Sequence, residues 1–428
     1  MNIININDNS GKLFYIGGVV RDELLGLDSF DIDITYVGNA IEYCSKFGEV
    51  IQENPDFGTV RVNVNGKIVD FASTRSESYH KKGHLPVVEK IGCSLKEDVM
   101  RRDYTINALA KSVTTGEIID YTGGLEDLKN KKLRVLHDES FIDDPTRIIR
   151  GLKFSVRFGF ELEEHTKKLQ DEYLANINYD MSYKRVKKEL IETFNPYICP
   201  PCQKEGDREA VEGFCKEIDK SVTLRLKPQD DGMYQKAFNK FINEKIYKLV
   251  TPNEVELPKV NIEELVDEYI LNSGKWKVES GKFNNFQPST FNFQQQLAPT
   301  LPFPMGRVSE GLEGVEYLCE NNYINCSTLQ PFNFSTEIWL IYVGVLNDLS
   351  RLPLTKIEQK ILDDVPKIEP KNDFEIYKMF ENLRIESILL YAILKNEKIA
   401  RHYLDNLRQI KIEITGKDLK NLGIQPSP

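Results

Sequence analysis

Lys12-Leu13-Phe14-Tyr15-Ile16-Gly17-Gly18-Val19-Val20-Arg21-Asp22-Glu23-Leu24-Leu25 passes from an apolar strand, through a pair of glycines, into a short helix. The strand is predicted over 12–16 and the helix over 19–25. Two glycines at such a junction let the backbone approach a bulky anion closely. The amides that open the helix point toward that anion, and Arg21 can clamp one of its oxygens. Taken alone, the pair reads as a tight turn between strand and helix, so its neighbours along the chain decide the matter.

Outward from it, Asp31-Ile32-Asp33 lies inside a predicted strand over 30–37. Alternation puts both carboxylates on one face, where they repel unless a cation sits between them. Mg²⁺ takes hard oxygen ligands, commonly one or two carboxylates and the phosphates of a substrate. Asp70, in the predicted strand 67–72, is a candidate third metal ligand, although a lone aspartate on an edge strand is common. Another strand is predicted over 59–64. Arg101-Arg102-Asp103-Tyr104-Thr105-Ile106-Asn107-Ala108 begins a further helix, and its charges suit a site that grips phosphate and ribose oxygens while an acid orients the arginine.

Asp144, Arg147 and Arg150 fall at i, i+3 and i+6 of a helix predicted over 144–158, which places the first two on one face. An ionised carboxylate only accepts hydrogen bonds and a guanidinium only donates them. Side by side, they match a base edge that presents an amino group beside a ring-nitrogen acceptor. Cytosine and adenine have that edge, whereas uracil and guanine present a carbonyl beside a ring N–H. The alternative reading is an intrahelical ion pair.

These four elements, in order and spacing, resemble the class II tRNA nucleotidyltransferases (the CCA-adding enzymes) and the related bacterial poly(A) polymerases, in the polymerase-β-like nucleotidyltransferase superfamily. The residues carrying the resemblance are Gly17-Gly18-x-x-Arg21-Asp22 with Leu25-Gly26, Asp31-x-Asp33, Arg102-Asp103-x-x-x-Asn107-Ala108 and Asp144-Pro145-x-Arg147-x-x-Arg150. The likeness spans about 10–195 and takes in Ser182 to Leu190, similar to the motif that closes the family's neck helices. Gly416-Lys417-Asp418-Leu419 with Leu422-Gly423 is similar to its tRNA-holding tail. The resemblance implies catalytic metals on Asp31 and Asp33, the triphosphate on Gly18 and Arg21, and the sugar on Arg102 and Asp103, with Asn107 in the same nucleotide site. It also implies a protein template for the incoming base made by Asp144 and Arg147 with help from Arg150. Asp143 stands where the family usually has Glu, and Lys153 replaces a frequent arginine.

The implied architecture is α+β, with a mixed-sheet nucleotidyltransferase head over 1–136. An all-α neck follows over 137–195, then an atypical body over 196–335 and a tRNA-binding helical tail over 336–428. The stretches 196–232 and 273–335 match nothing in the family and are either inserted segments or a diverged body. Helices are predicted over 164–175, 181–194, 234–272, 336–349, 355–363, 373–395 and 396–409. The implied activity is addition of C and A to the 3′ end of tRNA from CTP and ATP, with Mg²⁺ as cofactor. A poly(A) polymerase, or an enzyme adding only CC or only A, uses the same head motifs; a catalytically inactive RNA-binding protein is the alternative outside the enzyme class.

The chain has 428 residues, 40% of them hydrophobic and 29% charged, enough for about three domains and a sizeable core. Its net charge of −10 argues against wholesale phosphate binding, so a polyanion must meet a local basic surface. Lys184, Arg185, Lys187 and Lys188 crowd one helix, and 384–420 holds eight Lys or Arg against five Asp or Glu. Both are candidate RNA surfaces, although a charge run is often only a solvated face. Seven cysteines spread thinly suit a reducing compartment. Cys199-Pro200-Pro201-Cys202 with Cys215 lacks a matching second pair for zinc, so ordinary thiols are expected. Neither a secretory signal nor an apolar run of about 18 residues is read, so a cytoplasmic protein without membrane contact is expected. No obligate protein partner is inferred.

Overall fold

The computed structural model describes residues 6, 8–27, 29, 32–194, 232–271 and 337–409. Asp31, Cys199, Cys202, Cys215 and the 416–423 motif lie outside the described residues, as do most of 196–335 and the 410–420 part of the basic tail. The described residues divide into two compact units. The first comprises those within Met1–Thr193, Lys236–Glu254 and Asp348–Pro353, and the second those within Phe194–Gln235, Val255–Asn347 and Leu354–Pro428.

The first unit opens with β1 (Leu13–Ile16), α1 (Gly18–Leu24), β2 (Ile32–Tyr36), α2 (Ala40–Cys44), β3 (Glu49–Asn54), β4 (Thr59–Val64) and β5 (Lys67–Ser73). A hairpin of β6 (Arg75–Ser78) and β7 (Val87–Ile91) leads to α3 (Leu95–Met100), followed by β8 (Ala110–Ser112), β9 (Ile118–Ile119) and α4 (Gly124–Lys129). Seven strands make one mixed sheet in the order β3-β4-β5-β2-β1-β8-β9. Strands β2 and β5 pair in parallel, and the other neighbours pair antiparallel. The period-two pattern sorts the faces: Ile34, Val60, Val62, Val69 and Phe71 are buried. Asp33, Asp70 and Arg61 alternate with them on the other face, aligned across three adjacent strands.

Beyond the sheet come β10 (Lys132–Leu133), α5 (Ser140–Asp143), α6 (Thr146–Phe158), β11 (Glu161–Leu162), α7 (Glu164–Ala175) and α8 (Tyr183–Phe194). The helix expected to start at Asp144 starts instead at Thr146. Asp144 precedes a proline, whose ring disfavours helical backbone before it, and its φ of −144° and ψ of 91° are extended. Segment 236–254 returns to this unit, where Gln170 of α7 donates to Glu244 at 2.9 Å.

The second unit is helical over its described residues, with Ile338–Val343, Lys356–Asp363, Asp373–Phe380, Ile385–Leu394 and Glu397–Asp405. Trp339, Tyr342, Phe380, Leu389 and Tyr391 are buried in it. The helix expected over 373–395 is two helices. In one continuous helix Phe380 and Tyr391 would lie about 16 Å apart along the axis. The turn between the helices brings their rings edge to face at 5.2 Å.

Candidate active site

Gly17 turns the chain from β1 into α1 with φ 70° and ψ −120°, a conformation that side chains with a Cβ rarely adopt. A Cβ there would also stand 3.0 Å from Nη1 of Arg102. The turn therefore needs glycine for its backbone and for the arginine lying against it. Gly17 donates its N–H to the Leu109 carbonyl at 3.1 Å, and the helical amides that follow have no acceptor within α1.

Arg21 is buried. Its Nε donates to Oδ1 of Asp22 at 2.8 Å, Nη1 donates to Oδ1 of Asn107, and the guanidinium lies over the Phe158 ring at 4.6 Å. Asn107 donates in turn to Oδ1 of Asp103 at 3.0 Å. Oδ2 of Asp103 accepts from Nε of Arg150 at 2.8 Å and pairs with its Nη2 at 2.7 Å. The ring closes through Arg157, also on α6, which donates to Oδ2 of Asp22 at 3.2 Å. The glycine turn, the 103–107 segment and helix α6 are thus tied into one charged network. Burial would push the Asp103 carboxyl up, but Arg150 and Asn107 outweigh it and hold the carboxyl well below the usual aspartate range. On the far side, Arg150 reaches Glu189 of α8 at 3.4 Å, and Lys153 bonds Glu189 and Glu192 at 3.2 and 2.6 Å.

The acid that orients Arg102 is not its neighbour Asp103 but Asp98, one turn earlier on α3. Asp98 has no exposure and accepts from the Arg75 amide at 3.1 Å, from Arg101 at 2.8 Å and from Nη2 of Arg102 at 3.3 Å. Nε of Arg102 is buried and has no hydrogen-bond partner. Burial presses the Arg102 guanidinium below its ordinary pKa, with Asp98 and Asp33 pulling the other way. Arg102 therefore lies against the glycine turn, held from behind by Asp98. Sequence reading missed Asp98, although its i, i+4 spacing to Arg102 was the available signal.

Asp33 sits on β2 in register with Asp70 on β5, which places two hard oxygen donors on one sheet face. Asp70 is gripped by Arg61, whose Nε and Nη2 each reach one carboxylate oxygen at 2.6 Å. This leaves Asp70 charge-compensated from within the sheet. Asp33 and Asp70 are hard oxygen donors of the kind a divalent cation takes, but with Asp70 already paired to Arg61 the described residues do not by themselves gather a three-ligand cluster.

Asp144 and Arg147 do not pair with each other. Asp144, 5% exposed, accepts at Oδ1 from the amide and hydroxyl of Thr146 at 3.2 and 2.6 Å, and at Oδ2 from Nη2 of Arg185. Arg147, 3% exposed, donates to Oγ of Ser140 at 2.6 Å and to the Arg101 carbonyl at 3.0 Å, with the Tyr79 hydroxyl at 3.4 Å. Arg185, expected on the RNA face, is thus committed to Asp144, just ahead of α6. Of its neighbours on α8, Lys184 and Lys188 are exposed and Lys187 donates to the Pro353 carbonyl at 3.0 Å. In the second unit, Arg384 pairs with Glu337 and Glu386, and Arg401 with Glu397 and Glu268, so two of the basic tail residues are balanced locally. No helix among the described residues is long and apolar enough to cross a membrane.

Residues 13–134 match the family model described as the poly A polymerase head domain. The chain is 46% identical over 165 residues to an A-adding tRNA nucleotidyltransferase of Aquifex aeolicus, covering 37% of this chain and 20% of that relative. It is 35% identical over 190 residues to the A-adding tRNA nucleotidyltransferase of Halalkalibacterium halodurans, covering 42% of this chain and 44% of the relative. With the CCA-adding enzyme of Bacillus pumilus, identity is 33% over 190 residues, with 43% and 47% covered. The chain thus spans less than half the length of these relatives. Among solved structures, an apo CCA-adding enzyme superposes with a TM-score of 0.62 at 22% identity, covering 97% of this chain and 84% of that one. A Thermotoga maritima CCA-adding enzyme complexed with tRNA gives 0.52 at 22% identity, covering 97% and 83%. These two likenesses are of fold.

Proposed function

We propose that this protein extends the 3′ end of tRNA without a nucleic-acid template, adding C and A from CTP and ATP with release of pyrophosphate. The observation that carries the reading is the closed network Asp22–Arg21–Asn107–Asp103–Arg150, completed by Arg157, because it fixes a phosphate-approaching turn against a base-reading helix. Positioning of this kind is most of what a phosphoryl-transfer site must supply.

Asp31 and Asp33, with Asp70 beside them, would hold Mg²⁺, which supplies Lewis acidity and charge neutralisation for attack of the RNA 3′-hydroxyl on the α-phosphate. Gly17 and Gly18 would let the triphosphate approach; Arg21, expected to clamp it, is buried and bonded to Asp22 and Asn107, so it would serve the same site by holding the turn. Arg102 lies where the sugar and phosphate oxygens meet the metal face, and Asp103 and Asn107 hold that wall in place. Asp144 accepts from the exocyclic amino group of C or A, Arg147 donates to the ring nitrogen beside it, and Arg150 steadies their helix through Asp103. Exposed Lys184 and Lys188, with Lys187, offer the RNA backbone a basic strip. We place the activity in the cytoplasm, which the thin cysteine content suits.

Addition of A alone has support of its own, since relatives 46% and 43% identical carry the name A-adding tRNA nucleotidyltransferase. The test is incubation with labelled CTP or ATP and two tRNA ends, one stopping before CCA and one stopping after CC. CCA addition labels the first end from CTP and the second from ATP, whereas A addition labels only the second. Asp33→Ala should abolish incorporation while tRNA affinity stays within a few-fold. Parental turnover in that variant would refute the metal assignment.

A further inference from the structure

We infer that Arg185 is a positioning residue for base selection, acting through Asp144 rather than by touching RNA. The inference rests on the reading of Asp144 as the acceptor for the amino group of the base.

Asp144 lies between α5 and α6, its amide donating to the Ser140 carbonyl and its own carbonyl accepting from the Arg147 amide, both at 3.1 Å, so the backbone is placed while the carboxylate is left to its side-chain partners. Its orientation comes from two sides. Thr146 holds Oδ1 through both its amide and its hydroxyl, and Arg185, reaching across from α8, holds Oδ2. Arg185 is itself anchored, because Nη1 donates to the His84 carbonyl at 3.3 Å while Nη2 lies 3.4 Å from Oγ1 of Thr146. Its side chain is 26% exposed, against 7% for its partner. Arg147 does not share the task, because its side-chain bonds run to Ser140, Arg101 and Tyr79 rather than to Asp144, which leaves two of its five N–H groups for the base.

A carboxylate oxygen accepts more than one hydrogen bond, so Oδ2 with Arg185 in place still has a lone pair for one further donor. The guanidinium thereby sets the plane in which that lone pair is offered. It also keeps a buried carboxylate compensated before any nucleotide arrives. Without Arg185 the group can turn about its Thr146 bonds, and the difference between an amino group and a carbonyl on the base edge is no longer read at a fixed place.

The experiment is equilibrium titration of the full-length protein with CTP and with UTP in the parent, Arg185→Ala and Arg185→Lys, alongside tRNA affinity at several salt concentrations. In Arg185→Ala the preference for CTP over UTP should fall about ten-fold, the worth of one charge-assisted hydrogen bond. The dependence of tRNA affinity on salt should stay parental. Arg185→Lys, which retains the charge but not the fork, should lie between, and it carries the test if the alanine variant does not fold. Three outcomes would overturn the inference: a parental preference in both variants, CTP and UTP weakened by the same factor, or a flattened salt dependence with the preference intact. A parent that binds the two nucleotides alike would instead refute the reading of Asp144, and this inference with it.

Discussion

At position 98 a fully buried carboxylate accepts from the Arg75 amide and from two guanidiniums, so these donors fix both its ionised form and the arginines around it. Burial alone would raise its pKa, but Arg102 and Arg101 outweigh that and place it below the ordinary 3.8. The folded state therefore gains stability from this group above pH 3.8 and loses it as pH falls through the depressed value. Asp98→Asn should cost about 3 kcal/mol at neutral pH, as expected for a buried pair broken on one side. The gap between parent and variant should narrow as pH drops below about 4. Urea midpoints at pH 7 and pH 3 measure it, and an equal gap at both would contradict the assignment. In sequence, Asp103 looked like the orienting acid because it adjoins Arg102. The helix expected to begin at 101 does not form: α3 ends at Met100, and Arg102, just past that end, turns back over the last helical turn to Asp98 while Asp103 points toward Arg150 and Asn107. The true partner of Asp144 was hidden as well, since nothing local in the sequence announces Arg185 from a different helix.

Helix α6 carries one side of the network, and it packs closely against the 103–107 segment because Gly151 leaves room for Tyr104. A Cβ at 151 would stand 2.2 Å from the Tyr104 hydroxyl, which donates to the Arg147 carbonyl at 2.8 Å. Gly151→Ala gains about 1 kcal/mol of helix propensity. The clash should outweigh that gain for a net loss of roughly 1–2 kcal/mol, because neither the buried ring nor the helix backbone can move freely. Tyr104→Phe removes the offending oxygen, so the double variant should recover part of the loss, and a double-mutant cycle on denaturant midpoints reads that coupling. Strictly additive effects would show that the helix shifts instead. At this scale much was legible. Alternation in Thr59–Val64 and Lys67–Ser73 located β4 and β5 and put Asp70 on the face opposite the core. Pro145 could have marked the start of α6, but the apolar periodicity running on from 144 masked it. The break near Leu383 has no glycine or proline to announce it, and the ring contact that requires it is tertiary.

Across the whole chain the net charge is −10, so the proposed function requires that RNA be met by a few basic side chains that are not already balanced. Counting lysines and arginines along the sequence could not make that distinction, because pairing is settled by what lies across from each one. Arg384 faces two carboxylates and Arg401 three, and Arg185 holds Asp144, whereas Lys184 and Lys188 of α8 extend into solvent with only Glu192 near Lys188, at 3.8 Å. A phosphate contact releases condensed counterions, and each one lost lowers the slope of log affinity against log salt by about 0.7–0.9. Replacing Lys184 and Lys188 together with alanine should therefore flatten the slope for tRNA by roughly 1.5 and weaken binding most at low salt. Arg384→Gln or Arg401→Gln should leave the slope close to parental, because each removes a charge already neutralised within the fold. Filter binding of tRNA across a salt series separates the two cases. If the paired arginines changed the slope and the exposed lysines did not, RNA binding would have to be carried by side chains that the folded protein releases from their carboxylates on contact with RNA.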